Sequence, residues 1–189
     1  MNNFKIAPIA LCAAAAALTG SASASANILT NPGFENTDAW GHIFTLGDLS
    51  GYVDGFAHTG TRSFYFSTAA DVISLSQAVP FVNGQAYELS FWVYNLGVGN
   101  DLLEVSLFAS DAPEQIVTTG MVPTELETWQ QVTLNFSVPA AGDFYRLEFT
   151  GYDNSSAWYI DDVSLTAVPG PGVGVLVGVA GLIGLRRQR

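Results

Sequence analysis

The chain has 189 residues, with 12% aromatic and only 12% charged side chains, and its 17 acids against 6 bases give a net charge of −11. All 17 acids fall between residues 27 and 167, where Arg62 and Arg146 are the only bases, so that stretch carries −15. Such a surface repels phosphate backbones and anionic lipid, which excludes nucleic-acid binding and leaves neutral ligands and cations.

The N-terminus reads as a secretory signal peptide over residues 1–26. Lys5 supplies the positive start, "IAPIALCAAAAAL" the apolar run and "SASASA" the small residues around a cut after Ala24 or Ala26. Cys12, the single cysteine, lies in this removable segment. The exported part then has no disulfide, and a packed core must hold it together.

Residues 27–167 read as one domain of short strands without an amphipathic helix. The predicted strands are 63–67, 72–79, 86–95, 102–110, 129–138, 143–151 and 157–167, rich in aromatic and β-branched residues alternating with period two. Breaks such as "VNGQ", "GVGND", "PAAGD" and "GYDNSS" carry the residues of turns. This spacing predicts an all-β fold, an antiparallel β-sandwich of jelly-roll type. Alternation in "AYELSFWVYN" sends Tyr87, Leu89, Phe91 and Val93 to the core and leaves Trp92 and Tyr94 on the polar face. Val132, Leu134, Phe136, Leu147 and Phe149 also point inward, whereas Phe144, Arg146 and Glu148 point out. In "AWYIDDVSL" simple alternation puts Tyr159, Asp161, Val163 and Leu165 on one face, and Trp158, Ile160, Asp162 and Ser164 on the other.

The chain closes on a tail, residues 168–189. Gly172–Leu185 is free of charge, but as a helix it spans only about 21 Å, short of a ~30 Å hydrocarbon layer. Pro169 and Pro171 precede it and Arg186, Arg187 and Arg189 follow, a pattern that halts in the inner membrane with the bases on the cytoplasmic side. The order Val168-Pro169-x-Pro171, short apolar helix, arginine cluster resembles the PEP-CTERM sorting signal. That resemblance implies transient insertion through a short C-terminal transmembrane helix and processing by an exosortase-type protease. The protein would then reach the cell surface or the extracellular space. Gly170 stands where the signal usually has Glu.

Chemistry-bearing constellations are sparse. His42 and His58 are the only histidines, and no Gly-x-Ser-x-Gly or exported cysteine offers a nucleophile. Catalysis is therefore not expected. Sugars stack their C–H faces on aromatic rings. The candidates for that are Trp92 and Tyr94 with Trp40, Tyr52 and Phe56 from the loop-rich stretch 36–62. The paired acids of "IDDV" bring a carboxylate near apolar surroundings, where it needs a partner, and a hard cation such as Ca²⁺ is an economical one.

The ordered set "NILTNPGFENTDAW", "AHTGTRSFYF", "SLSQAV", "NGQAYELSFWVYN", "WQQVTLNF", "YRLEF" and "WYIDDVSL" resembles carbohydrate-binding modules of families 4, 9 and 22, within the galactose-binding-like jelly rolls. The resemblance covers 27–167. It implies a structural calcium held by Glu35, Asp161 and the loop His58–Thr61 (His58 and Thr61 included), with the Gly33 carbonyl also available. It also implies a non-catalytic protein that binds polysaccharide or belongs to an exopolysaccharide or biofilm matrix. The alternative is a structural matrix protein or adhesin acting through protein contacts without sugar recognition.

Overall fold

The computed structural model describes residues 25–43, 50–67, 72–96, 102–110, 114–118, 125–152 and 157–169. The signal-peptide segment up to Ala24 and the tail from Gly170 onward lie outside these, so the sorting residues Pro171, Arg186, Arg187 and Arg189 are not described.

The described residues form ten strands: β1 (Gly41–Ile43), β2 (Gly51–Asp54), β3 (Arg62–Ser67), β4 (Val72–Ala78), β5 (Ala86–Asn95), β6 (Leu102–Ala109), β7 (Gln115–Thr118), β8 (Trp129–Ser137), β9 (Phe144–Tyr152) and β10 (Ala157–Ala167). No helix occurs among them. All pairings are antiparallel, and two five-stranded sheets result, β1-β4-β9-β6-β7 and β2-β3-β10-β5-β8. The seven strands with clear alternation are those expected. The three extra strands, β1, β2 and β7, are three or four residues long, too short to show a period.

Each sheet buries one face against the other. Leu89, Phe91 and Val93 of β5 meet Leu147 and Phe149 of β9 in one core, joined by Leu75, Leu107, Ile160 and Leu165. Phe91 and Phe149 touch edge-to-face across the two sheets at 5.1 Å between ring centroids. The segment before β1 is part of this packing: Leu29, Phe34 and Trp40 are buried, and Asn27 straps the segment to β10 by bonding both Val163 and Leu165.

Two face assignments are corrected. In β10 the register against β5 shifts between Asp161 and Ser164, and Asp162 takes the left-handed conformation (φ 49°). A bulge inserts one residue and resets the alternation. Trp158, Ile160, Val163 and Leu165 therefore all face the core, while Tyr159 and Asp161 share the outer face. In β9, Phe144 is buried rather than outward, because the pairing with β6 shifts between Phe108 and Ala109.

Candidate functional site

The bulge gathers acids. Asp161 is fully buried on the outer side of its sheet, and its Oδ2 accepts the backbone N–H groups of His58 (2.7 Å) and Thr59 (3.1 Å). Its Oδ1 accepts the N–H of Asp162 at 2.8 Å. Burial is the main cause that pushes its carboxyl up to about 6, against the pull of those three N–H groups. Asp162 accepts from the His58 ring (Nδ1 to Oδ2, 2.7 Å) and from the Thr59 hydroxyl (2.6 Å), which fixes the His58 tautomer with its proton on Nδ1. Glu35 reaches the far side of the same loop, accepting the N–H (2.9 Å) and hydroxyl (2.7 Å) of Thr61. These two bonds, the N–H first, hold the Glu35 carboxyl below its usual range.

Three carboxylates thus clamp the loop that runs from β2 to β3. Gly60 is required there, since its φ is +67° and a Cβ would fall onto the Glu35 carboxylate. Gly33 closes the other side, where an added Cβ would lie 3.5 Å from Asp162 Oδ1 and 3.7 Å from Asp161 Oδ1. The structure places Glu35, Asp161, Gly33, His58 and Thr61, the residues singled out by the family resemblance, around the same loop. Asp162, the acid after the expected ligand, is the added member, and its role depends on the bulge.

The donor set is all oxygen apart from the His58 ring, which suits a hard cation such as Ca²⁺. Among the described residues no three acid or histidine side chains gather closely enough to hold a metal alone. A cation here would draw its remaining ligands from backbone carbonyls, and Asp161 and Glu35 already spend most of their lone pairs on N–H and O–H donors.

The predicted aromatic residues separate into two groups. Trp40 and Tyr52 belong to the inside. Trp40 is only 4% exposed, packs on Phe34 and Phe149, and donates its indole N–H to the Asn31 carbonyl. Tyr52 lies opposite the buried Phe64 in the β2–β3 pair and stacks edge-on against it, with its hydroxyl on the Trp40 carbonyl. The loop is drawn inward because its apolar rings fill the end of the sandwich. Trp92, Tyr94 and Phe56 do lie together on the outer face of the β2-β3-β10-β5-β8 sheet. His58 stacks on Trp92 at 3.8 Å, and Phe56 sits over Tyr94 (4.8 Å) and Tyr159 (4.5 Å). Sequence reasoning missed Tyr65, Tyr159 and Trp129. Their alternation was visible, but which strands lie side by side was not.

The opposite sheet carries a polar outer face. Arg146, Glu148 and Thr150 of β9 project between Phe108, Ser106 and Glu104 of β6 and Ala78, Ser76 and Ser74 of β4. Glu148 is buried, and burial raises its carboxyl above the usual range in spite of Arg146 beside it. Arg146 Nη2 lies 3.3 Å from Glu148 Oε2, and the guanidinium covers the Phe108 ring at 4.2 Å. Arg146 Nε and Glu148 Oε2 are nonetheless buried without a hydrogen bond among the described residues. Arg62 Nε shares that condition but has Asp54 Oδ1 at 2.7 Å as its ion-pair partner.

This architecture is shared with known sugar-binding modules. TmCBM61, solved in complex with β-1,4-galactotriose, superposes with a TM-score of 0.55 at 19% identity, over 76% of this chain and 100% of its own. The CBM22-1 xylan-binding domain of Paenibacillus barcinonensis Xyn10C gives 0.56 at 18% identity, over 79% and 99%. A family 4 module gives 0.53 at 17%, over 74% and 99%. At such identities the likeness is one of fold. No curated protein matches the sequence. The carbohydrate binding domain model CBM_4_9 matches residues 26–156, well over half of the 189 residues. By this match the chain belongs to the CBM_4_9 carbohydrate binding domain family.

Proposed function

We propose that the protein is an exported, non-catalytic polysaccharide-binding module that takes a neutral sugar chain on the outer face of the β1-β4-β9-β6-β7 sheet. The observation that carries this reading is an ion pair on that face with unmet hydrogen-bonding capacity: Arg146 Nη2 lies 3.3 Å from Glu148 Oε2, yet Arg146 Nε and Glu148 Oε2 make no hydrogen bond among the described residues. Arg146 Nε–H lacks an acceptor and Glu148 Oε2 has only the long ion pair with Arg146 Nη2, and a buried polar group left without a hydrogen bond costs about 1–3 kcal/mol. Neighbouring hydroxyls of a sugar supply both at once, one accepting from the guanidinium and one donating to the carboxylate. Arg146 Nε and Glu148 Oε2 are themselves closed to solvent, while the Arg146 side chain as a whole is 30% exposed against 10% for Glu148, so a sugar reaches them by displacing the guanidinium. The solved modules of like fold named for galactotriose and xylan support the same class of ligand. Glu148→Gln and Arg146→Ala are each expected to weaken retention on xylan or β-1,4-galactan affinity gels about tenfold or more, with melting temperature as the control. Unchanged retention with an intact fold would overturn the site. A glycan array bound by nothing would favour the structural matrix or adhesin reading.

The acid cluster around Asp161 takes Ca²⁺ as a structural ion in this reading. Bound there, the ion would neutralise the carboxylates that tie the β2–β3 loop to β10.

Delivery rests on the two ends. The signal peptide exports the domain, and the tail is cut by an exosortase-type protease, leaving the module at the cell surface or in an extracellular polysaccharide matrix. Val168, the first residue of the sorting motif, is held to the domain: its N–H donates to Ala86 and its carbonyl accepts from Gln85. Mass spectrometry of the exported protein is expected to find a start at Ser25 or Asn27 and an end short of Arg186. An intact C-terminus would refute the processing.

A further inference from the structure

The outer face of the other sheet remains unexplained by that site. Strand register sets Tyr65, Tyr159, Tyr94 and Trp129 directly opposite one another across β3, β10, β5 and β8, making one row of rings over four strands. Trp92 stands in the next row between Asp161 and Gln131 with the His58 ring stacked on one of its faces, and Phe56 rises over Tyr94, Tyr159 and Trp129 as a wall. All six rings are half-buried, where the rings of the core are closed to solvent. Their polar tips are the second observation. Among the described residues the hydroxyls of Tyr65, Tyr94 and Tyr159 and the indole N–H groups of Trp92 and Trp129 make no hydrogen bond, and none is among the buried unpaired atoms. Buried Trp40, by contrast, spends its N–H on a carbonyl.

A sheet that merely needed a solvated face would carry charged or small polar side chains here. Contiguous rings whose polar tips have no partner among the described residues instead match a ligand that has apolar C–H faces edged by hydroxyls. No Lys or Arg lies in these rows, and the domain is strongly acidic, so uronate or sulfate chains are disfavoured. The wall is held in place by the acid cluster: Ser63 Oγ donates to the Phe56 carbonyl at 2.6 Å, and the N–H groups two and three residues on are bound by Asp161.

We infer that this aromatic face is a second platform for neutral polysaccharide, on the opposite side of the sandwich from Arg146 and Glu148. The inference rests on the reading of the domain as a glycan binder, and it adds that one domain holds two chains and bridges them. Such a module would cross-link a matrix as well as adhere to it.

The tryptophans make the test clean. Of the four in the chain, Trp40 and Trp158 are each 4% exposed, so acrylamide quenching of fluorescence reports Trp92 and Trp129. Soluble xylan or β-1,4-galactan is expected to lower the quenching slope of the purified protein about twofold as sugar covers the rings. Polygalacturonate should leave it unchanged. The same protection is expected in Arg146→Ala, whose opposite face is impaired, and loss of it in the combined Tyr65→Phe, Tyr94→Phe, Tyr159→Phe variant, which keeps the packing and removes the hydroxyls. Retention on the affinity gel without any protection would overturn the platform and leave the first site standing. Protection that vanishes in Arg146→Ala would overturn the second site as well, since one face would then account for both signals. Neither retention nor protection would refute both readings together.

Discussion

Phe149→Ala is expected to destabilise the domain by about 3–5 kcal/mol, lowering Tm by about 10 °C, as read by thermal or urea unfolding. Phe149 is fully buried on β9, the middle strand of its sheet, and meets Phe91 of the other sheet and Trp40 of the N-terminal segment. Its loss opens a cavity where both layers and the segment before β1 converge. No cysteine lies between residues 25 and 169, so nothing covalent limits the damage. A domain of this size has about 5–15 kcal/mol in total, which makes the loss a large share of it. Tyr145, the neighbour on the same strand, is 43% exposed, and Tyr145→Ala should change stability by no more than about 0.5 kcal/mol. Equal effects from the two variants would contradict the two-layer core.

Asp161 is the second position of large effect. Asp161→Ala leaves the N–H groups of His58, Thr59 and Asp162 without their acceptor, a cost of about 3 kcal/mol, and frees the loop that carries Phe56. Its titration gives a sharper signature. A carboxyl raised from 3.8 to about 6 binds its proton more tightly in the folded than in the unfolded chain. Its contribution therefore grows as pH falls through 6 and is lost as pH rises, so stability in chelator should increase by about 1 kcal/mol between pH 7 and 5. Glu148, also raised by burial, acts in the same direction, whereas Glu35, with its lowered carboxyl, opposes it only at more acidic pH. With Ca²⁺ present the trend should invert, because protonating Asp161 removes a ligand. Asp161→Asn should flatten most of the rise in EDTA and abolish the calcium response. Melting curves that are identical with calcium and with EDTA would refute the ion. A fall in chelated stability from pH 7 to 5 would refute the buried charge.

Sequence by itself determined the class of fold. Seven stretches alternate with period two, and Tyr87, Leu89, Phe91 and Val93 could only be satisfied by a second layer, which is where the structure puts them. The resemblance to carbohydrate-binding modules, not the residue pattern alone, pointed to Glu35, Gly33, His58, Thr61 and Asp161 as one group. Tertiary structure decided what alternation cannot encode. The paired acids of "IDDV" look like ordinary alternating residues, yet a one-residue bulge there returns Val163 and Leu165 to the core and leaves Asp161 outside but buried. Trp40 and Trp92 are the same residue type in similarly polar company, and only the course of the chain makes one a core ring and the other a surface ring. The aromatic row and the Arg146–Glu148 pair are set by which strands neighbour which and in what register. Those relations join residues far apart in the chain, and the local pattern of side chains holds no record of them.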